Sequence, residues 1–174
     1  MSTPSGRPGL DKNLWDLGYG ATSDAHHMVQ PRADGTEAAR AATIALEDAA
    51  AEPAEIDYVS AHASSTPIGD LAEARAIALA LGERAATVPV SGTKALYGHP
   101  LGASGAIEAA ICALAICDGW APASVNLFDP DPEIAALLPG LLREGRTGVY
   151  RRVLSTSFGF GGLNASLVFG TPGD

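Results

Sequence analysis

VPVSGTKALYGHPLGASGAIEAAICALAICD, residues 88–118, is the stretch that decides how this chain folds. A short apolar strand leads into a polar loop that contains Lys94 and His99, and a helix over residues 101–117 follows. This helix has no polar stripe, so we predict that it is buried on every side. Only Glu108 interrupts the apolar run, and because a lone buried charge is costly, Lys94 is its expected partner. The run is shorter than the roughly 20 residues that a bilayer requires, which favours a core helix over a membrane span.

The composition is that of a single soluble domain. Of the 174 residues, 47% are hydrophobic and only 6% are aromatic, and the chain is long enough to form one substantial core. The formal net charge of −9 argues against nucleic acid as a partner. Residues 1–13 lack the apolar segment of a signal peptide, so we predict a disordered lead-in there and one domain over residues 14–174.

The two cysteines predict neither a disulfide nor a metal site. Cys112 and Cys117 are five residues apart in the apolar helix and cannot share one of its faces. We therefore expect reduced thiols, no bound metal and a cytoplasmic location.

The elements alternate in the order expected of an α/β domain with a mixed sheet. A helix should start near Thr36, which is a plausible N-cap, and the last two strands should form a hairpin around a glycine-rich tip. We predict strands over residues 14–21, 56–61, 87–90, 150–157 and 165–170, and helices over 36–51, 70–81 and 101–117, with a short one at 133–138.

Three polar loops follow predicted strands, at residues 62–66, 92–99 and 158–164. Ligands of open α/β sheets collect at such strand ends. The loops offer two imidazoles, an ammonium group and glycine-flanked backbone N–H groups, which could transfer protons or stabilise an oxyanion. Spacing alone is also consistent with loops that have no catalytic role. In that case the histidines are structural, the glycines form a tight turn, and Lys94 and Glu108 form a purely structural ion pair. The glycines lack the Gly-Lys-Ser/Thr ending of a P-loop.

Four sequence motifs, which occur in the same order as in a known family, make the resemblance to that family specific. They resemble the C-terminal half of the β-ketoacyl-acyl carrier protein synthases and span nearly the whole chain. The resemblance implies half of a thiolase-like fold, βαβαβαββ, with a mixed sheet and the helix over residues 101–117 as its buried central helix. The motifs are YGATSDAHHM (19–28), YVSAHASSTPIGDLAEA (58–74), VSGTKALYGHPLGASGAIEA (90–109) and STSFGFGGLNASLVF (155–169).

The resemblance assigns the catalytic positions. His62 and His99 look like the two family histidines that hold a thioester carbonyl during decarboxylation and condensation. Lys94 and Glu108 match the lysine and glutamate that pair below the active site. Phe160 resembles the gating phenylalanine, whose backbone N–H belongs to the oxyanion hole.

A second group of positions is expected to bind the substrate and its phosphopantetheine arm. Ser64 and Thr66 stand where two threonines hold the arm. Phe158 opens the glycine-rich loop, and Asn164 supports it. Tyr97 adds a phenol beside His99 where the family commonly has threonine.

The chain departs from the family in ways that affect its chemistry. The family's acyl-accepting cysteine belongs to an N-terminal half that this sequence does not include, and neither Cys112 nor Cys117 replaces it. This chain alone should therefore form no acyl-enzyme and should not condense. Ala63 and Ser64 also replace the usual Gly-Thr after the first histidine.

Three functions remain open. The first is an enzyme that isomerises a double bond, or dehydrates, in a polyketide or polyene chain on an acyl carrier protein, by histidine acid/base chemistry without a cofactor beyond the carrier's phosphopantetheine. The second is the C-terminal subunit of a split β-ketoacyl synthase whose cysteine half is another chain. The third is a non-catalytic chain-length or interaction partner.

We also predict an obligate partner. A half-fold leaves a large apolar face uncovered, which a second copy in an isologous homodimer or a cysteine-bearing half would bury. The only basic cluster, Arg143, Arg146, Arg151 and Arg152, is the expected docking site for an acyl carrier protein.

Overall fold

The computed structural model describes residues 15–171, and the predicted lead-in lies outside them. A five-stranded sheet carries helices on both faces. In chain order the elements are β1 (Trp15–Ser23), α1 (Thr36–Asp48), β2 (Tyr58–Ala61), α2 (Pro67–Leu81), β3 (Val90–Gly92), α3 (Lys94–Tyr97), α4 (Ser104–Asp118), β4 (Trp120–Ala121), α5 (Pro132–Leu137), β5 (Arg146–Thr147), β6 (Arg152–Gly159) and β7 (Leu163–Gly170).

The predicted elements are present, with shifted ends that have physical causes. Helix α2 begins three residues earlier than predicted because Pro67 at its start needs no hydrogen-bond partner for its nitrogen. Gly35, at φ 68°, is the N-cap of α1 in place of Thr36, whose hydroxyl donates to Asp34 at 2.7 Å. The two-residue pair of β4 and β5 was not predicted, since such short strands leave no periodic signal.

The sheet order is β1-β7-β6-β2-β3. Strand β2 runs parallel to β3 and to β6, whereas β7 is antiparallel to both of its neighbours. Four strands therefore point the same way and only β7 is reversed, so the sheet is mixed, as predicted. The carboxyl ends of β1, β2, β3 and β6 meet at one edge, and the loops after them are brought together there.

The two faces of the sheet carry separate cores. Helices α1 and α2 pack over one face, and α4 packs over the other. Side chains alternate between the two, so that Tyr58 faces α4 while Val59 faces the α1 side. Gly20 permits the close approach of α1, since a Cβ there would lie 2.0 Å from the carbonyl oxygen of Ala41.

Helix α4 buries only one of its faces within this chain. Its buried side chains include Glu108 and Cys112, whereas Leu114, on the opposite face, is 50% exposed. The adjoining strands β1 and β7 are also open, with Tyr19 54% and Leu163 62% exposed. Burial on every side would therefore require a partner, as the sequence analysis also predicts.

One stretch of the described residues, Leu101–Asp118, would be long and apolar enough to cross a membrane by length and composition alone. The core helix of a soluble protein passes the same test. Glu108 is completely buried in the middle of this stretch and is paired with Lys94. A paired internal charge favours packing against protein.

Candidate functional site

The candidate site lies at the edge where the parallel strands end. His62 follows β2, Lys94 follows β3, and Phe158 lies near the end of β6. The sheet register places Ala61 beside Gly92, so the loops that carry His62 and Lys94 start as neighbours. The position of the site thus follows from strand direction.

The structure brings the two predicted histidines together. The ring centroids of His62 and His99 lie 5.2 Å apart in an edge-to-face arrangement. Phe158 contacts the ring of His62 in the same manner, at 5.8 Å. His62 is buried, with 9% of its surface exposed, whereas His99 is exposed.

Lys94 links the histidine to the core helix. Its Nζ forms a buried ion pair with Glu108 and donates to the backbone oxygen of His62 at 2.5 Å. Burial raises the pKa of Glu108 above its usual range, and the Lys94 ammonium opposes that rise. Glu108 does not line the cavity, so its contact with the site runs through Lys94.

The surroundings of His62 define which ring nitrogen carries its proton. Lys94 Nζ lies 3.3 Å from His62 Nδ1, and an ammonium group can only donate. Nδ1 must therefore accept, which leaves the proton on Nε2. Burial, followed by the charges of Lys94 and His99, lowers the pKa of His62 from 6.5 to about 3. His62 is thus a neutral ring with a permanent Nε2–H donor.

His99 has a more adaptable neighbour. Its Nδ1 lies 2.9 Å from the hydroxyl oxygen of Ser104 and accepts the Leu101 N–H at 3.3 Å. The Leu101 N–H requires a lone pair on Nδ1, so the neutral ring with both contacts carries its proton on Nε2. A hydroxyl can donate or accept, so Ser104 can also accept from a protonated Nδ1 once the longer Leu101 contact is released. Nε2 of His99 therefore presents an N–H group as observed, and a lone pair only after that release.

Glu73 is a residue of the cavity wall that the sequence analysis missed. This buried carboxylate accepts from the backbone N–H groups of His62, at 2.7 Å, and Ala63, at 2.8 Å. It also accepts from the Thr156 hydroxyl at 2.7 Å. Burial raises the pKa of Glu73 to about 7. The available signal was a charge among the alanines that form the inner face of α2.

The glycine-rich loop is held by a second missed residue, Asp24. Asn164 donates from Nδ2 to the Asp24 carboxylate at 2.7 Å, and the Asp24 N–H donates to Gly162 at 2.8 Å. Gly162 has φ 73°, and a Cβ there would lie 2.7 Å from the Cβ of Asp24. Asn164 and Asp24 therefore anchor the turn that carries Phe160.

These groups surround a cavity of about 790 Å³. Its volume is within the range of small-molecule sites. Ser64 and Thr66 line it with their hydroxyl oxygens 3.3 Å apart, and Phe160, 76% exposed, lies at its surface. Most of the remaining wall is apolar. The predicted site residues that line the cavity are His62, Ser64, Thr66, His99, Phe158, Phe160 and Asn164.

Other predicted positions lie elsewhere. The Tyr97 hydroxyl pairs with Thr93 at 3.1 Å, and Tyr97 does not line the cavity. Burial raises the pKa of the Cys112 thiol to about 12, and neither cysteine contributes to the described wall. Within residues 15–171 no group of three or more His, Cys, Asp or Glu could hold a metal ion.

Arg152 of the arginine cluster lies at the far end of β6 from the cavity, and the docking role of the cluster remains a prediction. Arg152 is the first residue of β6, and Gly159 at the site edge is the last. Seven steps along a strand place them about 23 Å apart. Arg152 pairs with Glu55 at 2.6 Å.

Comparison with known proteins defines the family. The family described as "Beta-ketoacyl synthase, C-terminal domain" matches residues 17–128, more than half of the chain. The chain therefore belongs to the β-ketoacyl synthases, through their C-terminal domain. It is 48% identical over 155 residues to the mitochondrial 3-oxoacyl-[acyl-carrier-protein] synthase of Arabidopsis thaliana, covering 87% of this chain and 33% of that protein. Against 3-oxoacyl-[acyl-carrier-protein] synthase 2 of Synechocystis the identity is 44%, covering 88% of this chain and 36% of that protein.

Solved structures agree on the thiolase-like fold. A type II polyketide acyl-carrier protein in complex with its ketosynthase bound to the hexaketide matches with a TM-score of 0.83 and 34% identity, over 89% of this chain and 38% of that one. The ishigamide ketosynthase/chain length factor matches with a TM-score of 0.82 and 35% identity, over 91% of this chain and 38% of that one. The chain thus spans about a third of the length of its relatives.

Proposed function

We propose that this chain binds acyl chains carried as thioesters on an acyl carrier protein and shifts or isomerises a double bond in them. His62 would hold the thioester carbonyl oxygen, and His99 would carry the proton. The observation that carries this division of roles is the difference between their Nδ1 partners. A donor-only ammonium faces His62, whereas the nearer of the two partners of His99 is a hydroxyl that can donate or accept.

The proposed reaction runs through a dienolate. His99 acts as the tautomer whose Nδ1–H donates to Ser104 in place of the Leu101 contact. Its Nε2 removes a γ-proton from an α,β-unsaturated thioester, and the C–H electron pair moves through the chain to the carbonyl oxygen. The Nε2–H of His62 stabilises the resulting negative charge, as an oxyanion hole does. His99 then holds protons on both nitrogens, and its Nδ1–H donates to Ser104. The Cα–Cβ bond is single in the dienolate, so it can rotate before His99 returns the proton.

The cavity and the relatives support the proposed substrate class. The largely apolar wall, which includes Val29 and Leu163, suits a hydrocarbon or polyene chain better than a chain of ketones. One structural relative is a ketosynthase complexed with an acyl-carrier protein, which supports a carrier-bound substrate. Ser64 and Thr66 would contact the phosphopantetheine arm. On a β-hydroxy chain the same two histidines could support dehydration, in which the α-proton and the β-hydroxyl group leave together as one water.

A second candidate function is one half of a condensing site. The open face of α4 and the adjoining strands favours it, as do relatives about three times as long. Decarboxylation of a malonyl thioester needs no base, so two N–H donors would stabilise its enolate. A second polypeptide would then cover α4 and supply the thiol that holds the acyl group.

Incubation in heavy water separates these candidates. The purified chain, in whatever assembly it forms, is mixed with polyenoyl-carrier protein, and products are followed by chromatography and mass spectrometry. We expect changed double-bond geometry with deuterium at the γ-carbon. Unchanged substrate without deuterium would refute the isomerase proposal, and release of CO₂ from malonyl-carrier protein would then identify the condensing half. Inactivity in both assays, also after a cysteine-bearing ketosynthase half is added, would leave the chain as a non-catalytic partner.

Glutamine substitutions test the division of roles with matched variants. The amide N–H of glutamine can replace a ring donor but cannot carry a proton. His62→Gln should therefore retain activity within about tenfold, whereas His62→Ala should lose about 10²–10³-fold. His99→Gln should lose at least ~10²-fold. Equal losses in the two glutamine variants would contradict the assignment.

A further inference from the structure

The cavity extends from the histidines onto the open face of the sheet. Side chains of β7 alternate between the two faces, so Val168 packs on the α1 side and Leu167 packs on the α4 side. Leu163 and Ala165 therefore face the α4 side as well, and Ala21 of β1 lies directly opposite Ala165. Helix α4 contacts β2, β6 and β7, and Ala21 is exposed beyond it. The cavity thus includes a part of the sheet that α4 does not cover.

The wall of the cavity divides into two lobes of different chemistry. The polar lobe lies toward α1 and α2, and its polar side chains include Arg32, Ser64, Thr66 and Asp70. The apolar lobe lies on the α4 side of the sheet edge, and no charged side chain of the described residues lines it. A hydrocarbon chain is therefore more stable in the apolar lobe, and the amides and hydroxyl of a phosphopantetheine arm are more stable in the polar lobe. The apolar lobe is lined by Tyr19, Ala21, Leu101, Gly105, Leu163 and Ala165.

The two histidines lie where the lobes meet, one toward each lobe. His62 contacts Phe158, which packs against the core on the α1 side. His99 contacts Ser104, which is the first residue of α4 and lines the cavity. A thioester whose carbonyl oxygen is held by His62 therefore has its pantetheine arm in the polar lobe, and the carbons of its acyl chain pass His99 on the way into the apolar lobe.

We infer that the acyl chain of the substrate lies in the apolar lobe, along β1 and β7, and that Tyr19 limits the length of chain that fits. The inference rests on the proposed function, which places a thioester at His62. A second copy of this chain is the competing occupant of this face, and the acyl chain is favoured because the lobe opens directly at both histidines. Leu163 and Leu167 are four residues apart on β7, and Tyr19 lies opposite Leu167, so the lobe is about 14 Å long. An extended hydrocarbon advances about 1.3 Å per carbon, so about 10 carbons reach Tyr19.

Binding of saturated acyl-pantetheine thioesters tests the inference apart from the reaction, since a saturated chain has no double bond to move. Thioesters of 4 to 14 carbons are titrated into the full chain by isothermal calorimetry. We expect the affinity to rise about two- to fourfold per methylene and to level off at about 10 carbons. An affinity that does not depend on chain length would overturn the inference, whereas the proposed reaction would still be decided by the heavy-water assay.

Variants locate the acyl chain within the cavity. Ala21→Phe fills the middle of the lobe, so it should weaken binding of the 10-carbon thioester at least about tenfold and leave the 4-carbon thioester within about twofold. Ala110→Phe makes the same change on the exposed face of α4, outside the cavity, and should bind every thioester as wild type does.

Tyr19→Ala opens the far end of the lobe and should move the levelling beyond about 10 carbons, which tests the inference even if Ala21→Phe does not fold. An unchanged levelling point in Tyr19→Ala would overturn the role of Tyr19. Loss of association between copies of Ala21→Phe in light scattering, with unchanged affinity for the 10-carbon thioester, would assign the lobe to a second copy and overturn the inference.

Discussion

His62 and Glu73 predict opposite pH dependences of stability, which two single substitutions can separate. The pKa of His62 is lowered from 6.5 to about 3. As the pH falls from 7 to 5, the unfolded chain takes up a proton on this ring and the folded chain does not. This linkage lowers the free energy of unfolding by about 2 kcal/mol over that range.

Glu73 acts in the other direction. Its pKa is raised from 4.5 to about 7, so over the same fall the folded chain takes up a proton that the unfolded chain still lacks. Its linkage raises the free energy of unfolding by about 2 kcal/mol. Both side chains are buried, so neither contribution is strongly screened by solvent. Between pH 5 and pH 7 the contributions of His62 and Glu73 to the pH dependence of the free energy of unfolding nearly cancel.

The test is equilibrium urea unfolding at pH 5, 6 and 7 at a fixed protein concentration. Relative to wild type, His62→Gln should gain about 2 kcal/mol between pH 7 and pH 5, and Glu73→Gln should lose about 2 kcal/mol. Wild type and each variant share every other ionisable group, so the difference between their free energies of unfolding isolates the substituted residue. Single variants that both follow the wild-type pH dependence would refute the reasoning.

Three further predictions concern packing. Lys94→Met leaves the Glu108 carboxylate buried without its partner and should lower the free energy of unfolding by about 3–5 kcal/mol; the double variant with Glu108→Gln should recover part of this loss in the same urea assay. Gly92→Ala should destabilise the fold, because its Cβ would lie 2.2 Å from that of Ala63, and Ala63→Gly should restore the melting temperature in the double variant; failure to restore it would show that the clash is not the cause. Leu114→Glu places a charge on the open face of α4 and should abolish the predicted association between copies of this chain, measured by light scattering. Unchanged association would place the interface elsewhere.

Much of the fold was predictable because its signals are local. The apolar helix after the Lys94–His99 loop, the hairpin around Gly161 and the alternation of strands and helices each depend on residues close in sequence. Element ends were less predictable, since Pro67 and Gly35 act through backbone geometry that hydrophobic periodicity does not record. The strands β4 and β5 exist only because two short segments meet.

By itself the sequence determined the family, the α/β class and the pairing of Lys94 with Glu108, and it singled out both histidines. Tertiary structure decided what those histidines can do. The proton position on His62 depends on Lys94, 32 residues away in sequence, and the hold on its backbone depends on Glu73 and on Thr156, 94 residues away. Burial, charge and donor geometry act through space, so such partners become visible only when the strands lie side by side. Helix α4 is apolar apart from Glu108 and its two ends, yet this chain covers only one of its faces, which the sequence alone does not show.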